Sequence, residues 1–368
     1  MRHTRVDQKY SFISVFDDEN GAYVRTGIIE HGRDTGKDPF MASFPHLIDV
    51  GIMGHCAHGR TGLCAKAGIG CYQSGRDIEA PNMTLEDFSE IVLQCSGKVN
   101  QFALGGRGDP DMHEHFGEIL SLCREHEIVP NFTTSGFGLT DKAVELCARY
   151  CGAVAVSWYR NDYTLRAIHM LLDAGVRTNI HYVLGRNSVD EAIRRLREQD
   201  FPKGINAVIF LLHKPAGQGT RDNVLSVDDP RTRAFFLALE ERHSFKVGLD
   251  SCNVPGTLQF CHDILSESLD PCEAGRFSCY IGPDLRMTPC SFDQGHQYQV
   301  QLGPGMGIQD AWNSETFWRF RAHLSGACPE CRQRELCLGG CPLMPEIVFC
   351  SRAERTAPPS EKEAEKPR

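Results

Sequence analysis

The sequence predicts an α/β fold, namely a partial (β/α)6 barrel of the TIM type followed by a small cysteine-rich domain. Two observations support this prediction. Between residues 46 and 250, short apolar runs alternate with amphipathic helical stretches, which is typical of β-α units around a parallel sheet. After residue 250 this pattern stops, and eight of the 17 cysteines fall within 272–350.

Six strands are expected in the barrel, at 46–52, 99–104, 128–132, 153–157, 178–184 and 207–212. Between them, Thr84 with Asp87 and Ser188 with Glu191 resemble capping boxes that begin helices. Six such units suit a partial barrel, open on one side, or a doubly wound sheet. In either fold, the chemistry belongs at the carboxyl ends of the strands.

The regions outside the barrel have their own patterns. Residues 1–45 contain two short apolar runs, 10–16 and 22–28, which predict an N-terminal β-hairpin extension. The hairpin could offer a strand edge to an extended peptide, or it could cover the bottom of the barrel. We place the barrel at 46–250 and the cysteine-rich domain at 251–350. The tail, 351–368, has no aromatic residue and is expected to be disordered.

Composition narrows the class of protein. Lys and Arg total 39 against 48 Asp and Glu, a net charge of −9. This balance argues against nucleic-acid binding, which usually shows as a basic face. No run of about 18 apolar residues and no apolar segment near the N-terminus is present, so we expect no membrane span, no signal peptide and a cytoplasmic protein.

The cysteines of the C-terminal region fall at short, fixed spacings. Cys328 and Cys331 are separated by two residues, and Cys337, Cys341 and Cys350 follow. Further upstream are Cys272, Cys279 and Cys290. Eight thiolates make two four-coordinate sites, and soft ligands of this kind select zinc or iron–sulfur clusters. Two structural zinc ions remain an alternative on these residues alone.

A second set of cysteines follows the first predicted barrel strand. Cys56, Cys64 and Cys71 lie in a glycine-rich loop, and Tyr72 comes directly after the third. Three thiolates leave one iron of a four-iron cluster without a protein ligand. An open coordination position is what a catalytic metal site requires, whereas a structural site is closed.

With both cysteine sets, the chain resembles a radical S-adenosylmethionine (SAM) enzyme with a C-terminal SPASM domain, similar to peptide- and protein-modifying maturases. The resemblance covers roughly residues 46–350, and Leu285 stands where the family usually has glycine, five positions before Cys290. It implies three [4Fe–4S] clusters, one that binds SAM and two auxiliary ones. The eight cysteines from Cys272 to Cys350 would hold the auxiliary pair.

The same resemblance implies that Cys56, Cys64 and Cys71 hold the SAM-binding cluster, with Tyr72 near the adenine. The family spaces these cysteines by three residues and then two, whereas this chain has seven and then six. Longer loops can still converge, because loop-closure entropy grows slowly with length. His55 or His58 could also replace one of the cysteines.

Other positions resemble the family's SAM pocket. Gly105, Gly106 and Asp109 belong to a stretch that resembles the family's glycine motif, which meets the amino group of SAM. Thr134 follows the third predicted strand, and Ser157 ends the fourth. Arg166 is a candidate partner for the SAM carboxylate, since guanidinium binds carboxylate in bidentate fashion. Ser157 could instead cap a helix, and Arg166 could be a solvated surface charge.

The sequence indicates a proton-accepting base less clearly than it indicates the cysteine ligands. Sulfatase-maturating relatives place a proton-accepting Asp directly after the cysteine that matches Cys290, and here that residue is Ser291. Asp293 is therefore a weak candidate base, and the alternative is that it is a turn residue. No ligand role is assigned to the remaining cysteines, which include Cys252.

The resemblance implies an enzyme that reductively cleaves SAM and abstracts a hydrogen atom from a peptide or protein side chain. An electron donor such as flavodoxin or ferredoxin would serve as a partner. Two alternatives remain open. One is a radical SAM enzyme that acts on a small molecule or cofactor precursor, and the other is a zinc-binding barrel without catalysis.

Overall fold

The computed structural model describes residues 1–351, so the predicted disordered tail lies outside the described residues except for Ser351. The strands are β1 (Arg2–Asp7), β2 (Phe12–Asp17), β3 (Tyr23–Arg25), β4 (Ile29–Glu30), β5 (Arg33–Asp34), β6 (Leu47–Met53), β7 (Gln101–Gly106), β8 (Val129–Thr134), β9 (Val154–Ser157), β10 (Thr178–Leu184), β11 (Ala207–Leu212), β12 (Lys246–Leu249), β13 (Ser278–Ile281), β14 (Arg286–Thr288) and β15 (Val300–Gln301).

The α-helices are α1 (Ala57–Thr61), α2 (Leu63–Lys66), α3 (Leu85–Cys95), α4 (Phe116–Glu125), α5 (Asp141–Tyr150), α6 (Asp162–Asp173), α7 (Val189–Glu198), α8 (Pro230–Leu239), α9 (Val254–Phe260), α10 (Ile308–Trp312), α11 (Glu315–Gly326) and α12 (Arg334–Cys337). Short 3-10 helices occur at Pro110–Met112, Arg221–Asn223, Ser251–Asn253, Ser266–Ser268 and Pro345–Ile347. Within residues 1–351, no helix has both the length and the apolar character needed to cross a membrane.

The main sheet has ten strands in the order β12-β11-β10-β9-β8-β7-β6-β13-β14-β15. Strands β6 to β12 are parallel and adjacent in chain order. A doubly wound sheet would reverse its strand order, so that alternative is wrong. From β6 to β12, each strand lies next to the one that follows it in the chain, and the sheet stays open. This strand order confirms the partial barrel. The six predicted strands match β6 to β11 within two residues at each end, and β12 is a parallel strand beyond them.

Helices and strands form where the apolar pattern predicts them, but one cap differs. The Thr84 hydroxyl accepts a hydrogen bond from the Asp87 amide at 3.1 Å, as the predicted capping box requires. The Ser188 hydroxyl makes no such bond at the start of α7. It instead accepts from the Gly185 amide at 2.9 Å, which closes the turn after β10.

The N-terminal residues form a three-stranded antiparallel sheet, in which β2 and β3 are the predicted hairpin. Strand β1 is an addition that the sequence pattern missed, because its residues alternate between exposed and half-buried without an apolar face. Arg5 Nε donates to Asn100 Oδ1 at 2.8 Å, and the Tyr23 hydroxyl lies 2.7 Å from His46 Nδ1. Asn100 and His46 immediately precede β7 and β6, so this sheet packs at the amino-terminal end of the barrel.

The C-terminal region joins the barrel through β13, which pairs parallel with β6. Arg321 is 1% exposed and donates to the carbonyls of Gly275 at 2.6 Å and Trp312 at 2.7 Å. The Trp312 indole in turn donates to the Ala42 carbonyl at 3.0 Å. Leu285 has φ 61°, in the region that favours glycine, which explains why glycine is the residue expected there.

Candidate active site

The parallel strands open at their carboxyl ends onto a cavity of ≈ 500 Å³. Each of the strands β6 to β11 contributes at least one side chain or backbone segment to its wall. The loop of 56–76 closes one side, and residues 211–214 close another. The N-terminal sheet contacts the opposite end of the barrel, so the cavity lies at the end where a barrel of this kind carries its chemistry.

Cys56, Cys64 and Cys71 all line this cavity. The unusual spacing is accommodated by two short helices, since Cys56 caps α1 and Cys64 lies in α2. The Cys56 sulfur accepts a hydrogen bond from the Gly59 amide at 3.0 Å, and the Cys71 sulfur accepts one from Gly75 at 3.4 Å. Burial raises the pKa of Cys56 to about 11, and the charges of Cys71 and Cys64 add to that rise. The three thiols are therefore within electrostatic reach of one another.

The two histidines of this loop differ in position, since His58 lines the cavity together with the three cysteines. His58 is 3% exposed, and its Nε2 lies 2.6 Å from the Tyr163 hydroxyl. The rings of Phe137 and Tyr159 pack around it. His55 does not line the cavity.

Gly105, Gly106 and Asp109 lie on the cavity wall beside the cysteines. Gly106 has φ 106°, and a Cβ there would meet the Met53 carbonyl oxygen at 2.5 Å, so the position requires glycine. A Cβ on Gly105 would meet no atom within 4 Å, because this backbone faces open cavity space. The Asp109 carboxylate is held by Ser135, whose amide and hydroxyl donate at 2.7 and 2.5 Å.

Of the other residues predicted for the SAM pocket, some line the cavity and some do not. Ser157 lines the cavity, as does Thr133, but Thr134 is fully buried on the other face of β8. Thr133 Oγ1 lies 3.1 Å from His181 Nδ1 across the cavity wall. Arg166 is exposed on α6, whose buried face is formed by other positions, and it does not line the cavity. Its position matches the alternative of a surface charge.

Tyr72 lines the cavity and packs against Phe292, with ring centroids 4.3 Å apart. Burial raises the pKa of Tyr72 to about 12. Lys214 Nζ also contacts Phe292, at 4.5 Å from the ring centroid, and lies 2.6 Å from Asp250 Oδ2. Burial alone would lower the pKa of Lys214, but the charge of Asp250 outweighs it and raises that pKa.

Asp293 lies outside this cavity, on the wall of a smaller one of ≈ 270 Å³. Its two carboxylate oxygens accept from the amides of Gln297 at 3.0 Å and Tyr298 at 2.8 Å. These bonds are those of a turn residue, as in the alternative interpretation. Ser291, in contrast, lines the main cavity.

Sequence reasoning missed Asp49, which lies on β6 and lines the cavity. Among the described residues, no hydrogen-bond or ion-pair partner of its carboxyl is found, and burial raises its pKa to about 7. A single acidic residue inside an otherwise apolar strand, Leu47–Met53, was the available signal.

The C-terminal cysteines form two groups. In the first group, the thiol of Cys341 raises the pKa of nearby Cys252, to which burial also contributes. Burial raises the pKa of Cys272 and of Cys290, and the charge of Cys252 adds to both rises. In the second group, burial raises the pKa of Cys337 to about 11, and three further thiols add to the rise. These thiols are Cys350, Cys328 and Cys331.

Cys279 is apart from both groups. It lies on β13, is 2% exposed and packs in the main hydrophobic core. The charges that act on its pKa are those of Cys95, Asp49 and Arg321. Cys252 belongs to the first group instead, and no short spacing indicates this in the sequence because 19 residues separate Cys252 from Cys272.

All 17 cysteines lie within residues 1–351, and no two of them form a disulfide. In the same part of the chain, no three His, Cys, Asp or Glu side chains stand close enough to hold a single metal ion. The donor set nevertheless fits iron–sulfur ligation, since thiols gather in one group of three and two groups of four.

Comparison with known proteins shows similarity in sequence and in fold. No protein-family model matches the chain. The mycofactocin maturase MftC of Mycobacterium tuberculosis is 22% identical over 76% of each chain. Streptococcus suis SuiB bound to S-adenosylmethionine gives a TM-score of 0.64 at 15% identity, covering 85% of this chain and 78% of SuiB.

Two further structures contain peptides. SuiB bound to precursor peptide SuiA gives a TM-score of 0.65 at 17% identity, covering 85% of this chain and 77% of SuiB. The enzyme anSMEcpe with bound AdoMet and Cp18Cys peptide gives 0.58 at 16% identity, covering 84% of this chain and 92% of that one. The chain thus shares the fold of these proteins, and its resemblance to radical SAM enzymes with a SPASM extension, similar to peptide-modifying maturases, is confirmed.

Proposed function

We propose that this chain is a radical SAM enzyme that removes a hydrogen atom from a peptide or protein side chain. The observation that carries the proposal is the presence of Cys56, Cys64 and Cys71 together on the wall of the cavity at the carboxyl ends of the strands. When bound there, a [4Fe–4S] cluster supplies the electron that splits SAM into methionine and a 5′-deoxyadenosyl radical, which takes the substrate hydrogen.

The chain's own residues would bind SAM and shield the reaction. Cys56, Cys64 and Cys71 would hold the cluster, and the backbone amides of Gly59 and Gly75 already donate to two of the sulfurs. Gly105 leaves room for SAM, because no protein atom lies where its Cβ would be. Tyr72 and Phe292 form an apolar wall that excludes water.

Asp49 is the proton acceptor that we propose in place of Asp293. Asp109 and Asp250, the other cavity carboxylates, are engaged by Ser135 and Lys214. The Asp49 carboxyl has no such partner within the described chain, and a pKa of about 7 allows it to take up a proton near neutral pH.

We further propose that the two C-terminal cysteine groups hold two auxiliary [4Fe–4S] clusters. The ligands of the first would be Cys252, Cys272, Cys290 and Cys341. Those of the second would be Cys328, Cys331, Cys337 and Cys350. Cys279 is left out, because it is buried in the apolar core away from either group.

The peptide substrate is supported by the maturase MftC and by the peptide complexes of SuiB and anSMEcpe. A cytoplasmic flavodoxin or ferredoxin would supply the electron. The competing functions are a zinc-binding barrel without catalysis and a radical SAM enzyme that acts on a small molecule. The experiments below distinguish the zinc-binding barrel from the function that we propose.

We expect that Cys56→Ala, Cys64→Ala and Cys71→Ala together remove one of three clusters. After anaerobic reconstitution, the wild type should hold about twelve irons per chain and the triple variant about eight. Iron, sulfide and zinc analysis measures this. About two zinc ions, little iron and no change in the variant would instead support the zinc-binding barrel.

The first auxiliary group can be tested by comparing two cysteines. Cys252→Ala should lower the iron content from about twelve toward about eight per chain, because it removes one of four ligands. Cys279→Ala is the matched control and should keep nearly all the iron. The reverse result, with iron lost only from Cys279→Ala, would contradict the assignment of Cys252.

Gly105→Val should weaken SAM binding roughly tenfold or more, equivalent to about 1.4 kcal/mol. The added methyl groups would occupy cavity space, and the folded chain should tolerate them because no protein atom lies nearby. Calorimetric titration of the reconstituted protein with SAM measures the effect, with denaturant unfolding as the check on stability. Arg166→Ala, at an exposed position, should bind SAM as the wild type does. Unchanged affinity in Gly105→Val would show that SAM binds elsewhere.

A further inference from the structure

An ion pair between buried Lys214 and half-buried Asp250 lies in the wall of the cavity. The Lys214 side chain is 4% exposed, and its ammonium donates to Asp250 Oδ2 at 2.6 Å and to the Leu212 carbonyl at 3.0 Å. Asp250 also accepts from the Leu212 amide at 3.1 Å and from Asn253 Nδ2 at 2.6 Å. The pair is therefore fixed in position by hydrogen bonds to strand β11 and to the turn after β12.

Lys214 lies near both the cavity and the first C-terminal cysteine group. It lines the cavity, and its ammonium lies over the Phe292 ring, which packs on Tyr72. The Phe292 ring that Lys214 contacts belongs to a residue that follows Cys290 by two positions. The positive charge of Lys214 also acts on the thiols of Cys252 and Cys290, and the charge of Cys341 acts on Lys214. Asp250 is only two residues before Cys252. Three of the four thiols of the first group are thus within electrostatic reach of this cation.

Stability alone does not account for a lysine at this position. Removing two charges from water costs several kcal/mol per ion, and hydrophobic replacements of buried pairs are often neutral or stabilising. The potential of an iron–sulfur cluster depends on the net charge, hydrogen bonds and solvent exposure around it. A fixed cation stabilises the reduced, more negative state of a neighbouring cluster and so raises its reduction potential.

We propose that the Lys214–Asp250 pair sets the reduction potential of the cluster held by the first C-terminal group. Lys214 raises that potential and Asp250 lowers it, and together they set how readily a one-electron donor such as dithionite reduces this cluster. Lys214 acts on the cluster through its charge, and it is in this sense a positioning residue. The inference rests on the proposed function, because it needs a cluster at Cys252, Cys272, Cys290 and Cys341.

The test is a redox titration of the full-length, anaerobically reconstituted protein, with dithionite as the one-electron donor and electron paramagnetic resonance as the readout. Lys214→Met removes the charge with little change in length and should lower the potential of one couple. Asp250→Asn leaves the cation uncompensated and should raise the potential of the same couple. Lys214→Arg keeps the charge and should stay near the wild type. The redox couples of the other clusters in the same protein act as internal controls.

Opposite shifts in Lys214→Met and Asp250→Asn support the inference, because loss of structure alone would move both variants in the same direction. Unchanged potentials, or equal shifts in all couples, would overturn it. Iron is measured first for each variant. If Lys214→Met loses its iron, the comparison of Asp250→Asn with Lys214→Arg decides the question. If the wild type itself holds no iron, the proposed function fails as well, and this outcome is distinct from a wild type with full iron and unshifted variants.

Discussion

The parallel pairing of β6 to β12 is the constraint on which the rest of the structure depends. Parallel strands need a crossover after every strand, so all their carboxyl ends meet at one rim. Loops that are far apart in sequence, such as those that carry Cys71, Gly105 and Lys214, therefore share one cavity. The N-terminal sheet occupies the opposite end through Arg5 and Tyr23, which leaves this rim to the chemistry.

The C-terminal region is built onto the same sheet. Strand β13 pairs with β6, so Ser291 and Phe292, which follow it, reach the wall of the cavity. Buried Arg321 fixes this extension by its bonds to backbone carbonyls. As a result, two residues of the cavity wall adjoin the first C-terminal cysteine group in sequence, since Asp250 precedes Cys252 by two residues and Phe292 follows Cys290 by two.

Much of the fold follows from sequence periodicity. Strands β6 to β11 are short apolar runs, and α3 begins at Thr84 as its capping residues predict. Strand β1 could not be found in this way, because its outer face is polar and its partner lies ten residues further along. Strand pairing of that kind depends on contacts that no local pattern records.

Site residues that are close together in the sequence could be predicted from that sequence. Residues whose role depends on the fold or on the direction of a side chain were harder to predict. Cys328 and Cys331 are close in sequence and stay close in space, whereas Cys252 joins its group only through the fold. Adjacent strand residues point to opposite faces, so Thr133 rather than Thr134 faces the cavity.

The central claim is that Cys56, Cys64 and Cys71 support the cleavage of SAM. The most direct test is to measure 5′-deoxyadenosine formed from SAM and dithionite under anaerobic conditions, for the wild type and for the variant with all three cysteines changed to alanine. We expect product from the wild type and none from the variant, although the variant retains its auxiliary iron. Equal product from both proteins, or none from a wild type with its full complement of iron, would contradict the claim.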